Sequence, residues 1–297
     1  VARLRLALEW FLNPDHVPLI LAREFGWLAE AGLELELVEP REHFDAFAAM
    51  KRGEVDVAIT EPIHLVQDVA KGERMVGFAR FLHTNGGVMV RRDRGITRPR
   101  DLVGKRLQYP GAPGPGGPAI VNTMIAADGG TPGAIVPVNH GFFHTDALAS
   151  DLADAATLAF YNFEVVEARH RGLDVELFAL KDWGVPDFCQ LVLVTLPETL
   201  AGREAELTAL LKVIRRGIDL LQQDPARARE VWFRVTGGDP GDPLMAAIWQ
   251  ATTSCFTHDL TMSAAYYEAL AAWLVRTGQA TDVPPPATYW TDRLALA

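Results

Sequence analysis

Leu4, Leu6 and Leu8 alternate with Arg3, Arg5 and Ala7 at the start of the chain, the period-two pattern of a strand with an inward face. Behind Pro14-Asp15-His16 the apolar positions switch to helical spacing, which predicts a helix over 16–31 stopped by Gly32. The same grammar then repeats. Leu33, Leu35 and Leu37 face inward between Glu34 and Glu36, giving a second strand. A helix is predicted over 43–52, with Phe44, Phe47 and Ala48 on one side and Gly53 behind it. Val55, Val57 and Ile59 make a third strand, and Pro62 sits in the first turn of a helix that runs to Ala70. A strand over 75–81 completes a first block of three strand–helix units.

A second block spans about 87–188, with strands ending at Tyr109 and over 135–138, 155–159 and 175–179. Helices are predicted over 119–127 and from Glu164 to Arg171. Leu191 to Thr195 is a continuous apolar strand that can carry the chain back to the first block. From Pro197 the pattern is helical, with Leu207, Leu210, Leu211, Ile214, Ile218 and Leu221 in one stripe. Further helices are predicted over 225–235, 243–254 and 262–276, and Pro284-Pro285-Pro286 reads as a loose tail. The expected fold is α/β: a clamshell of two α/β lobes joined by two crossing strands. Lobe I comprises 1–86 and 190–297 and lobe II comprises 87–189.

Composition narrows the partners. The 297 residues carry a formal charge of −10, so a nucleic-acid backbone is not expected as a ligand. Apolar runs such as 191–196 fall far short of the roughly 20 residues a membrane span needs. Cys189 and Cys255 have no metal-ligand spacing, and free thiols or a disulfide both stay open. The chain starts Val1-Ala2 with no apolar leader; a removed leader fits an exported protein, and trimming also fits a cytoplasmic one.

In open α/β sheets ligands gather at the carboxyl ends of strands. Trp10, Asn13 and His16 follow the first strand directly, where a flat guest would be stacked and read at its edge. In the second block, Gly111, Gly114, Gly116 and Gly117 could offer backbone N–H groups to an anion. Pro110, Pro113, Pro115 and Pro118 remove donors there, so a rigid loop or partial anion site is expected. His140 and His144 read as a surface loop pair.

Three segments carry a resemblance: Glu9 to His16, Ala22 to Glu34 and Gly53 to Ile59. Gly95 to Lys105 and Asp224-Pro225 add to it. On these residues the chain resembles the periplasmic binding proteins of the branch that contains fungal thiamine-pyrimidine synthase and the bacterial binders of thiamine-pyrimidine precursors. The resemblance implies a type II periplasmic-binding-protein clamshell with its ligand between the lobes. Trp10 would be the stacking platform, with Asn13 and His16 as nearby polar contacts. Thr60, Glu61 and His64 would form the wall at the third strand's end. From the other lobe Tyr109, the loop with Gly114 and Gly116, and Phe160, Tyr161, Asn162 and Glu164 would close over the guest.

The enzymes of that branch use a lysine holding pyridoxal phosphate, a histidine and a cysteine-rich stretch. Here the histidine position is His64, but the lysine position is Thr60 and the cysteine stretch is reduced to Asp187-Phe188-Cys189-Gln190. Without the amine the Schiff-base chemistry is lost. The expectation is a monomeric, non-enzymatic, extracytoplasmic receptor, free of cofactor and metal. It would take a small planar heterocycle such as formyl-aminopyrimidine or hydroxymethylpyrimidine, deliver it to an ABC transporter permease, and meet the membrane only through that transporter. The alternative is a synthase-like enzyme of heterocycle metabolism.

Overall fold

The computed structural model describes residues 1–40 and 45–297. The first sheet contains β1 (Ala2–Ala7), β2 (Leu33–Val38), β3 (Val57–Thr60), β4 (Val76–His83) and β10 (Gln190–Thr195), in the order β2-β1-β3-β10-β4. The second contains β5 (Gly86–Arg91), β6 (Arg106–Gln108), β7 (Val136–Val138), β8 (Ala155–Phe160) and β9 (Val175–Ala179), ordered β7-β6-β8-β5-β9. The chain passes from the first sheet to the second between His83 and Gly86 and returns between Ala179 and Gln190.

Helices flank both sheets. They are α1 (Val17–Glu24), α2 (Trp27–Glu30), α3 (Ala46–Lys51) and α4 (Pro62–Ala70) before the first passage. Between the passages come α5 (Gly116–Ala127), α6 (His144–Ala149) and α7 (Glu164–His170). After the return come α8 (Pro197–Gly202), α9 (Glu204–Gln223), α10 (Pro225–Thr236), α11 (Pro243–Thr253) and α12 (Ala264–Arg276).

Strand direction decides which strand ends face one another across the two sheets. β1 runs parallel to β2 and β3, while β10 is antiparallel to β3 and β4, so β1, β3 and β4 all end on one edge. In the second sheet β8 ends opposite the first residue of β5, where Gly86 pairs with Phe160. The edge at which the chain enters that sheet is therefore also the edge where β8 finishes. Both edges meet at the passage, and the residues following β1, β3 and β8 converge there.

The leucines of β1 and the α9 stripe share one fully apolar cluster with α1. Gly217 lets α9 and α1 approach closely, since a Cβ there would lie 2.8 Å from Pro18 Cα. Three sequence expectations change. The helix over 16–31 is split at Gly26, whose φ of 75° ends α1 before α2 begins. The helix over 43–52 is observed as α3, capped by Asp45 on the Ala48 N–H, and His43 and Phe44 lie outside the described residues. The loose tail is docked: Tyr289, Trp290 and Leu294 are buried, and Gly77 N–H donates to Tyr289 O at 2.8 Å. Gly77 makes this possible, because a Cβ there would stand 2.5 Å from the Trp290 ring.

Candidate functional site

Two proline-led turns and one helix N-terminus build the gap. Beyond β1, Asn13 caps the turn Pro14–His16, its Oδ1 accepting from Asp15 N–H at 2.9 Å and its Nδ2 donating to Phe11 O at 2.8 Å. This turn bends the chain so that Glu9 and Trp10 stay at the strand's end. Beyond β3, Glu61 precedes Pro62 at the start of α4. Beyond β8, the tight run 161–163 leads into α7, whose first residue is Glu164.

The aromatic part of the gap spans both lobes. Trp10 is half-buried, its ring centroid 4.3 Å from that of Phe11 and 4.9 Å, edge-on, from that of Phe163 in the second lobe. The indole therefore reaches the gap.

The polar part is a set of four carboxyl groups. Burial pushes Glu61 up to about 8, and the charges of Glu9, Glu164 and Asp15 push the same way. Among the described residues, nothing hydrogen-bonds the Glu61 carboxyl. Asp15 is raised to about 7 by burial and by Glu9, against the opposing pull of His16 and of Asn162. Glu164 is raised to about 7 by burial, although its Oε2 accepts from Phe160 N–H at 2.9 Å. The groups come from both lobes and sense one another through the gap. An uncompensated carboxylate is costly in such a place, so Asp15, Glu61 and Glu164 tend to hold a proton.

The remaining expected residues divide by what they touch. Asn13 is buried, and its amide is spent on its own turn. His16 is fully buried under Glu9 and has no face on the gap. Thr60 is half-buried, its Oγ1 3.5 Å from His64 Nδ1. His64 is open to water on one side yet walled by protein, which lowers its pKa, and Lys71 adds to the effect. Asn162 is buried and bridges the lobes, its Nδ2 donating to Asp15 Oδ1 at 3.2 Å and to Thr252 Oγ1 of α11 at 2.9 Å. Tyr161 is exposed beside the passage, its N–H on Asn85 O, and Phe160 is half-buried.

Tyr109 turns away from the gap. It is buried, and its hydroxyl donates to Gly114 O at 2.8 Å. Gly114 N–H is in turn spent on Gly111 O, and Gly116 opens α5 beside Gln279. This loop is braced internally, and the ring of Tyr109 fills the space a Cβ on Gly117 would need. The paired reading of His140 and His144 also changes. His140 stays in the loop on Asp146, whereas His144 is buried in the first turn of α6, and burial lowers it to about 4.

Glu9, Asp15 and Phe163 are gap residues that the sequence expectations did not single out. Asp15 and Glu9 stood within the first segment, but nothing local shows that they face Glu61, which lies on another strand's end. Cys189 and Cys255 are free, and Cys189 is buried against Gly86 at the passage. Among the described residues no group of three or more potential metal ligands is gathered, and no helix is long and apolar enough to cross a membrane. Pyridoxal phosphate does not fit the wall at β3, where Thr60 offers a hydroxyl in place of an amine. Lys51 and Lys105 are engaged elsewhere, with Glu73 and with Arg94 O.

Two sheets with inserted connectivity and a gap at the passage define the periplasmic-binding-protein fold. The aliphatic sulphonate binding protein SsuA of Escherichia coli superposes with a TM-score of 0.76 over 98% of this chain and 92% of its own, at 13% identity. Such a likeness speaks for the fold alone. Within that fold, the chain belongs to the NMT1/THI5 like family, whose profile matches residues 13–228. It is 28% identical to the formylaminopyrimidine-binding protein of Halalkalibacterium halodurans over 225 residues, 75% of this chain and 68% of that one. It is 27% identical to the 4-amino-5-hydroxymethyl-2-methylpyrimidine phosphate synthase of Legionella pneumophila over 234 residues, 77% of this chain and 72% of that one.

Proposed function

We propose that this chain is the extracytoplasmic receptor of an ABC importer and that it carries a small, planar, nitrogen-rich heterocycle of the thiamine-pyrimidine kind between its lobes. The observation that carries this reading is the pairing of Trp10 with carboxyl groups drawn from both lobes. A flat ring gains from stacking on the indole. Its amino and ring nitrogens find acceptors in ionised carboxylates and both donors and acceptors in protonated carboxyls. A phosphate or sulfonate would instead face this set of carboxyls, and in the glycine loop the Gly114 N–H is already spent on Gly111 O. Trp10, Glu61, Glu164 and, at the wall, Thr60 and His64 are the proposed contacts; Asn13, His16 and Asn162 support them.

The names of the relatives keep two activities in view, binding and synthesis. Thr60 in the lysine position favours transport, as does the formylaminopyrimidine-binding relative. Calorimetry with formyl-aminopyrimidine and hydroxymethylpyrimidine, followed by mass analysis of the recovered ligand, tests the reading. Saturable binding with the ligand returned unchanged is expected. Conversion of the ligand would make the protein an enzyme, and absence of binding to any planar heterocycle would end the assignment.

A further inference from the structure

Residues 9–16 fold into a closed polar relay around Trp10. Glu9 keeps its side chain only 18% exposed at the gap, and both of its oxygens lie 3.0 Å from Nε2 of His16, which has no exposure at all. The other imidazole nitrogen, Nδ1, faces the Asn13 N–H at 3.2 Å. Asn13 is itself locked by Asp15 N–H and Phe11 O. A backbone donor on Nδ1 fixes the ring so that Nε2 carries the proton and donates to Glu9.

The other carboxyls of the gap are held differently. Glu164 rests on a backbone N–H and Asp15 on the Asn162 amide. Among the described residues, Glu9 is the gap carboxyl with an imidazole beneath it. A single donor shared by two oxygens leaves lone pairs on both of them free to face outward.

We propose that Glu9 is the anionic anchor of the site, accepting from the amino group or protonated ring nitrogen of a guest stacked on Trp10, and that His16 is a positioning residue acting through Glu9. This rests on the receptor reading given above and adds to it the group that bears the charge. The expected guest is a heterocycle with an amidine-like N–C–NH2 edge. One edge nitrogen faces the Glu9 carboxylate, and the neighbouring one faces a carboxyl able to donate.

The test is calorimetry with 4-amino-5-hydroxymethyl-2-methylpyrimidine on the wild type, Glu9→Gln, His16→Gln and the double variant. Loss of one charge-assisted hydrogen bond weakens binding by about 10- to 100-fold, and that loss is expected for Glu9→Gln. His16→Gln is expected to weaken binding less, with no added loss in the Glu9→Gln background. Wild-type affinity in Glu9→Gln would overturn the anchor. A full additive loss from His16→Gln would overturn its action through Glu9. A wild type that binds no heterocycle would instead overturn the receptor reading, and this inference with it.

Because His16 is buried and its variant could unfold, a ligand-free measurement stands beside these. Imidazole nitrogen NMR of the wild type is expected to find Nε2 protonated from about pH 5 to about pH 9. A neutral ring with a bare Nε2 would overturn the relay.

Discussion

Replacing Glu61 by Gln is expected to stabilise the ligand-free protein at pH 8 and to change little at pH 5. Burial together with Glu9, Glu164 and Asp15 raises the Glu61 carboxyl from 4.5 to about 8. In the folded state the group then holds a proton that the unfolded chain has released. The unfolded state binds fewer protons across this interval, so stability falls as pH climbs from the unfolded value toward the folded one. Each pH unit in that window costs about 1.4 kcal/mol. Between pH 5 and pH 8 the loss sums to about 3–4 kcal/mol, and water in the gap, by screening the group, brings the expected change to about 2–4 kcal/mol. Gln keeps the shape and does not titrate, so it abolishes this part of the pH dependence. Urea unfolding of both proteins at pH 5, 6, 7 and 8 reads the difference directly. A difference that stays constant across the series would mean that Glu61 is ionised and well hydrated in the fold, and the desolvated carboxyl set would be refuted.

Trp10→Ala is expected to weaken heterocycle binding by about 30-fold or more, as truncating a central aromatic anchor does. Its thermal midpoint should fall only slightly, because the indole is half-buried at the gap; unchanged affinity by calorimetry removes Trp10 from the site. Gly86→Ala places a Cβ 2.0 Å from Cys189 Sγ and is expected to cost about 1–3 kcal/mol by overpacking. Adding Cys189→Ala removes the sulfur but keeps a Cβ 2.8 Å away, so it should recover part of that loss in urea titrations, and equal instability of both variants would mean that the thiol is not the obstacle. Thr252→Val keeps shape but removes the acceptor for Asn162 Nδ2 at the lobe junction. Amide exchange near 160–165 and 248–253 is expected to quicken by about tenfold, the worth of one buried hydrogen bond; unchanged exchange would mean that the bridge does not hold the junction.

Strand positions were legible because alternation records which face is wet, and the ends of β1, β3 and β8 followed from that alone. The parallel run of β1 and β3 then put Trp10 and Glu61 on one edge. Side-chain direction was not legible. Tyr109 has the same promise on paper as Trp10, yet its ring fills the space beside Gly117 and its hydroxyl ties down Gly114. His16 reads as a contact residue in its Pro-Asp-His context, but the turn that Asn13 caps rotates it beneath Glu9. The carboxyl set is a property of two sheets meeting, so no window of sequence contains it. Likewise Pro284-Pro285-Pro286 signals an end to regular structure, while the docking of Trp290 depends on a glycine more than 200 positions earlier.

The central claim is that a planar guest lies where the two lobes meet, with the Trp10 indole on one side and carboxyl groups at its edge. A crystal structure of the protein grown with saturating 4-amino-5-hydroxymethyl-2-methylpyrimidine addresses it directly. The account predicts a flat ligand against Trp10, with its amino-bearing edge within hydrogen-bond distance of Glu9 or Glu61. A ligand seated elsewhere, or a gap holding only water at saturation, would contradict it.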